Sequence, residues 1–102
     1  MTQRVPLACN LKAMTAEQRA RHRELAGALR RDAQEIAELP DGLRLRLPAG
    51  WWLDAAEFVA LEKLCCPFLR FRLEMAEEGG PLLLSLTGRA GVREFLRAEL
   101  GI

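Results

Sequence analysis

The chain has 102 residues, of which half are apolar and 28% are charged, with 15 basic and 14 acidic side chains. This length and balance predict a single globular domain over residues 1–102 and argue against intrinsic disorder. Because neutralising phosphate needs a clustered excess of basic charge, the formal net charge of +1 argues against a nucleic-acid partner.

The sequence predicts the cellular compartment through two features that it lacks. No apolar run reaches the length of a membrane span, and the N-terminus lacks the apolar core of a signal peptide. A cytoplasmic protein with no membrane partner is therefore expected. In that reducing compartment, an odd count of three cysteines favours free thiols, a metal site or redox chemistry over a disulfide framework.

The N-terminal third predicts a strand followed by a long helix. Apolar residues alternate over 5–11, which is typical of a strand whose apolar face includes Cys9. A capping box at Thr15 then begins a helix, and an apolar stripe with a spacing of three and four continues it to about Leu39. The only histidine, His22, lies on this stripe.

The remaining elements follow from local patterns and from proline and glycine. They are a strand at 43–47, a helix at 54–65, a hairpin with strands at 69–75 and 82–86, and a C-terminal helix at 92–100. The order β-α-β-α-β-β-α predicts an α+β fold, a two-layer sandwich with its helices on one face. A right-handed crossover would make the first two strands parallel, so a mixed four-stranded sheet is expected.

The end of the second predicted helix combines an acid with two vicinal thiols. At about 100° per residue, Glu62 falls within the apolar stripe, three positions before Cys65 and four before Cys66. A buried carboxylate is costly unless it is paired, hydrogen-bonded or bound to a metal. Glu62 is therefore a candidate ligand or proton acceptor, with an ion pair to Arg70 or Arg89 as the alternative.

Vicinal thiols together with a third thiol or an imidazole form a donor set that suits Zn(II), Cu(I), Hg(II) or trivalent arsenic, and Cys9 is the natural third thiol. The sequence therefore predicts a metal site with the ligands Cys9, Glu62, Cys65 and Cys66. The expected partner is a soft metal or metalloid ion, with zinc or another thiophilic ion as the cofactor. No CxxC pair is present, and plain burial of the cysteines as small apolar side chains stays open as an alternative.

A catalytic thiol is not expected, and no catalytic residue is assigned. Thiolates are favoured at helix N-termini or beside cations, whereas this pair ends a helix, where the dipole is negative. A dyad with His22 would require two helices to meet at the right points. A disulfide between adjacent cysteines would be strained and easily reduced, so thiol-redox chemistry is a third hypothesis.

The tryptophan pair suggests a different kind of function. Trp51 and Trp52 lie at a predicted strand-to-helix corner, where so small a domain can hardly bury both, and large aromatics are favoured at interfaces. The alternative hypothesis is therefore a homodimeric structural or interaction module. Its interface would be the tryptophan pair or the long first helix.

The pattern Glu62-x-x-Cys65-Cys66-Pro67-Phe68 resembles the core motif of a family of small uncharacterised bacterial proteins. The similarity continues through Phe71, Gly80-Pro81-Leu82, Leu84, Thr87-Gly88 and Gly91-Val92-x-Glu94-Phe95-Leu96, and so covers most of the chain. A cysteine before a long helix, here Cys9, belongs to the same pattern. The resemblance implies a bacterial protein and no established activity.

Overall fold

The computed structural model describes residues 6–102. Its elements are α1 (Ala16–Asp32), β1 (Glu35–Leu39), β2 (Gly42–Leu47), α2 (Trp52–Cys65), β3 (Arg70–Met75), β4 (Leu82–Thr87) and α3 (Val92–Leu100), with short 3-10 helices at Leu11–Ala13 and Ala49–Trp51. The predicted α+β fold with one four-stranded sheet is confirmed. Among the helices of residues 6–102, none combines the length and the apolar character needed to cross a membrane.

The predicted first strand does not form within the described part of its range. Val5 lies outside the described residues, and from Pro6 the chain turns instead of extending. The Ala8 N–H donates to the Pro6 carbonyl at 2.9 Å, and a 3-10 helix follows at Leu11–Ala13. Proline has no N–H to offer a sheet, which disfavours strand pairing at this point, and residues 6–11 are not part of the four-stranded sheet.

The first helix ends at Asp32, well before the predicted Leu39, and the rest of that range forms a strand. Helix α1 does begin with the predicted capping box at Thr15. Residues Glu35–Leu39 form β1, which pairs with β2 across a tight turn. The apolar spacing in this stretch suits both structures, and pairing with β2 decides between them.

The sheet has the order β1-β2-β4-β3, and each neighbouring pair is antiparallel. It is therefore antiparallel throughout rather than mixed. The physical reason is that β1 reaches β2 by a hairpin, so the expected parallel crossover from an N-terminal strand does not occur.

The core lies on one face of this sheet. The side chains that alternate along β2 and β4 on that face are fully buried: Leu43, Leu45, Leu47, Leu82, Leu84 and Leu86. The three helices cover them with Leu25 and Leu29 from α1, Phe58 from α2 and Leu96 from α3. The opposite face of β2 exposes its arginines. The predicted arrangement of helices on one face therefore holds.

One glycine allows the central strands to approach closely. Gly42 opens β2 opposite Thr87 of β4. A Cβ atom at Gly42 would overlap the Leu86 carbonyl oxygen and would lie 2.8 Å from the Thr87 Cα. The neighbouring atoms belong to the backbone, so they cannot move aside as a flexible side chain can.

The two tryptophans have different surroundings. Trp51 is buried, and its indole N–H donates to Asp32 Oδ2 at 2.9 Å, which ties the start of α2 to the end of α1. Trp52 is 50% exposed and lies on α2 together with the exposed Leu53 and Leu64. The expectation that so small a domain can hardly bury both indoles is confirmed.

Candidate metal centre

The C-terminal end of α2 places two thiols inside the protein. Cys66 caps the helix with φ −129° and ψ 67°, and its N–H donates to the Glu62 carbonyl at 2.7 Å. Pro67 prevents continuation of the helix, as the sequence predicts. Cys65 and Cys66 are both fully buried, and their Sγ atoms lie 3.7 Å apart.

The N-terminal segment brings the third thiol to this point. The Asn10 N–H donates to the carbonyl of Cys65 at 2.9 Å, which fixes the segment against the end of α2. Cys9 is partly buried and lies within 4.8 Å of Cys65 and Cys66, measured between sulfurs. The cysteine therefore reaches the pair although its segment is not a strand.

Helix α3 supplies a carboxylate that the sequence reasoning missed. The oxygens of Glu99 lie 3.6 and 3.8 Å from Cys66 Sγ. A signal for this residue was present, because Glu99 lies three positions after Leu96 and thus on the apolar side of α3. Its proximity to the thiols depends on how α3 docks, which no local pattern reports.

Glu62 is fully buried, and its partner is His22 of α1. The two side chains meet with 2.6 Å between His22 Nε2 and Glu62 Oε2, and the His22 ring stacks on Phe58 with centroids 5.6 Å apart. The other carboxylate oxygen, Oε1, is buried and has no hydrogen-bond partner within the described chain. The acid predicted inside the apolar stripe of the helix is thus paired through one oxygen only.

The donor atoms form two overlapping groups, and within each group all atoms lie within 4.8 Å of one another. The sulfur-rich group comprises Cys9, Cys65, Cys66 and Glu99. The mixed group comprises His22, Glu62, Cys65 and Glu99. Cys65 and Glu99 belong to both, so the cluster is continuous, and each group has the donors to hold a metal ion.

Hydrogen bonds shift the pKa values of the two vicinal thiols in opposite directions. The pKa of Cys65 is lowered to about 5, chiefly by the hydrogen bond from Cys66 and further by His22, against the opposing effects of burial and Glu62. The pKa of Cys66 is raised chiefly because its thiol donates a hydrogen bond to Cys65, and burial raises it further. Hydrogen bonding to Cys65 and then to Glu62 raises the pKa of His22 to about 10.

These shifts overturn the argument from helix polarity for one thiol. The negative end of α2 was expected to oppose a low pKa at both cysteines, yet direct hydrogen bonds to Cys65 outweigh the more distant dipole. The meeting of a cysteine with His22, which the sequence made improbable, does occur. Both shifts favour the charged forms, a Cys65 thiolate beside a His22 imidazolium.

Two other acids of the cluster, Cys9 and Glu99, retain their protons more readily than usual. Burial raises the pKa of Cys9, and Cys65 raises it further. Burial also raises the pKa of Glu99 to about 7, with repulsion from Glu62 as the next cause. A cluster of acids in a poorly hydrated site holds protons until a cation replaces them.

Two cavities give access to the cluster, and Cys9 borders both. One, of about 350 Å³, is also lined by His22, Arg23 and Glu99. The second, of about 310 Å³, is also lined by Cys65 and Pro67. A larger cavity of about 460 Å³ is lined by Arg70 and Arg89 among others and has no cysteine in its lining. The thiols are therefore approached from two sides of the N-terminal segment.

The predicted ligands Cys9, Cys65 and Cys66 lie together, and Glu62 joins them through Cys65. His22 and Glu99 complete the cluster and were not assigned as ligands from the sequence. Comparisons with protein-family models, with curated proteins and with solved structures give no significant match.

Proposed function

We propose that the protein binds a thiophilic metal or metalloid ion through Cys9, Cys65 and Cys66, with Glu99 as the fourth ligand. The observation that carries this proposal is the meeting of three thiols, from two separate segments, with a carboxylate. Its biological role would be the handling or sensing of such ions. No step of bond making in a substrate is needed for that role.

The spacing of the thiols supports a four-coordinate ion. A tetrahedral ion with Zn–S bonds of about 2.3 Å places two sulfur ligands about 3.8 Å apart. The separation of the Cys65 and Cys66 sulfurs is 3.7 Å. Linear coordination by two thiolates, as Hg(II) prefers, would instead need the sulfurs at roughly twice the bond length. The vicinal pair therefore fits Zn(II) or a pyramidal As(III) better than linear Hg(II).

The protonation states support the same role. Metal ligands must be deprotonated, so binding of a metal releases protons and strengthens as the pH rises. Cys65 already has a lowered pKa, whereas Cys9 and Cys66 have raised ones. The cation must therefore displace protons from two thiols, and Cys65 provides the first point of attachment.

Titration of the reduced, metal-free protein with Zn(II), arsenite and Hg(II) tests the proposal. The number of thiols that react with a chromogenic disulfide should fall from about three to near zero at about one equivalent of Zn(II), because bound thiolates are poor nucleophiles. Cys66→Ser removes one sulfur with little change in volume and should weaken this protection. Ser85→Ala, on the open face of the sheet, should leave it unchanged.

One result of this titration would contradict the proposal. Thiols that remain fully reactive at stoichiometric amounts of all three ions would exclude metal binding at the cluster. Elemental analysis of protein purified under reducing conditions gives a second measurement. At least about one metal ion per chain is expected there for a resident ion.

A second candidate function is a homodimeric interaction module, which the exposed apolar side chains of α2 favour. Trp52, Leu53 and Leu64 are 50%, 62% and 42% exposed, and exposed aromatic and aliphatic side chains are typical of interfaces. Light scattering should then give a dimer mass that falls to the monomer mass in Trp52→Ala. Arg46→Ala, on the open face of β2, serves as the control. A variant that stays dimeric would exclude this face.

A further inference from the structure

We infer that the cluster holds two cations side by side. The first lies on Cys9 and Cys66, the second lies on His22 and Glu62, and Cys65 with Glu99 bridges them. This inference rests on the proposed function, because it adds a second ion to the same site. The second position is a nitrogen- and oxygen-rich site for a borderline divalent ion such as Zn(II) or Co(II).

The first support is the way the donor groups overlap. Each group has four donor atoms that lie within 4.8 Å of one another, and both groups contain Cys65 and Glu99. A thiolate has more than one lone pair and a carboxylate has two oxygens, so both residue types can bridge two ions. One sulfur-rich and one mixed position therefore fit into a single continuous cluster, with ligand types that suit a soft and a borderline ion respectively.

The second support is the unpartnered oxygen of Glu62. The side chain is fully buried, Oε2 accepts from His22, and Oε1 has no hydrogen-bond partner among the described residues. A buried acceptor without a partner is uncommon in proteins, because it has lost its water without replacement. A cation held by His22 and Glu62 satisfies the carboxylate, and the His22 ring releases its proton to solvent and becomes a neutral imidazole ligand.

The third support is the balance of charge. The cluster contains three thiols and two carboxylates against a single imidazole. If all five acids serve as ligands, one divalent ion leaves most of their negative charge uncompensated, whereas two ions neutralise nearly all of it. Buried charges need compensation by partners or metal ions. Binding of two ions therefore allows all the donors of the cluster to act as ligands.

A Co(II) titration of the reduced, metal-free protein tests the inference. The d–d and thiolate-to-cobalt absorption bands should saturate at about two equivalents per chain. Glu62→Gln keeps the shape of the side chain and removes its charge, and it should reduce the stoichiometry to about one equivalent while the thiolate band remains. His22→Gln should do the same. Circular dichroism shows whether each variant is folded.

Glu57→Gln is the matched control, since Glu57 is an exposed carboxylate on the same helix. It should still bind about two equivalents. Saturation of the unmodified protein at one equivalent would overturn the second position and leave the proposed function standing. A folded Glu62→Gln that still binds two ions would also overturn it. No binding at all, with every thiol still reactive, would instead overturn the proposed function.

Discussion

Replacing His22 by leucine is expected to lower the free energy of unfolding of the metal-free protein by about 3–5 kcal/mol, the usual cost of removing one partner from a buried ion pair. Glu62 is fully buried and His22 is nearly so, and Oε2 has His22 as its partner. The variant leaves that carboxylate without compensation. Urea denaturation of both proteins in the presence of a chelator measures the difference.

The double variant His22→Leu/Glu62→Leu separates this cause from a simple loss of packing. It removes both polar groups, so most of the lost stability should return, as it does when buried pairs are replaced by apolar residues. Arg21→Ala is the surface control, because Arg21 joins the same two helices through the exposed Glu57. Its effect should be much smaller, since water and salt screen that pair. A double variant as unstable as the single one would contradict the explanation.

The same pair should make the stability of the metal-free protein depend on pH in a definite direction. The pKa of His22 is raised to about 10 by Cys65 and Glu62. The folded state therefore holds the His22 proton more tightly than the unfolded state, in which the pKa of a histidine is about 6.5. The resulting stabilisation is complete below that pH and is lost as the pH rises through about 10. Cys65 acts in the opposite direction, because its pKa is lowered to about 5 from an ordinary 9.0 and the folded state therefore gains stability as the pH rises to that value. The two effects offset each other below about pH 9, so the decline in stability should fall between about pH 9 and 10 and should be smaller in His22→Leu. Cys65, Glu62 and Glu99 all face this ring in the cluster.

Gly42→Ala is expected to destabilise the fold by about 3 kcal/mol or more, because overpacking against rigid atoms forces the backbone to move. The added methyl group would overlap the Leu86 carbonyl oxygen and crowd the Thr87 Cα at 2.8 Å. Both atoms belong to β4, the strand that joins β2 to β3. Thermal denaturation followed by circular dichroism measures the loss.

Gly50→Ala is the matched control for this substitution. A Cβ atom there would have no neighbouring heavy atom within 4 Å, and the residue is exposed. The change in stability should stay within about 0.5 kcal/mol, as for ordinary surface substitutions. Equal losses at the two glycines would show that strand contact is not the cause.

The elements that the sequence predicted correctly are those with strong local signals. Each of these signals is contained in a few neighbouring residues. They are the alternating leucines of β2, the proline that ends the helix after Cys66, and the glycines of the hairpin between β3 and β4. β1 has no such signal, because its range has a helical spacing and contains a single β-branched residue, Ile36. Its structure depends on pairing with β2, a contact that lies outside any local window.

The candidate site likewise has residues that local spacing predicts and residues that only the packing of the helices brings together. The spacing within α2 predicted that Glu62 would lie near Cys65 and Cys66, since neighbours on one helix face follow from its geometry. The positions of His22 and Glu99 depend on how α1 and α3 pack against α2, which spacing within one helix does not determine. The lowered pKa of Cys65 was missed for that reason, because His22 and the arrangement of the thiols help to cause it.

The wide separation of the donors along the chain has a consequence for the lifetime of the folded protein. His22 and Glu62 lie 40 positions apart, and Cys66 and Glu99 lie 33 positions apart. An ion held by such donors would act as a reversible cross-link between all three helices, and long loops closed by a cross-link reduce the entropy of the unfolded chain. The unfolded chain retains only the vicinal thiols and the nearby acid as a binding site. Loading with metal should therefore slow unfolding, and removal of the ion should reverse this effect.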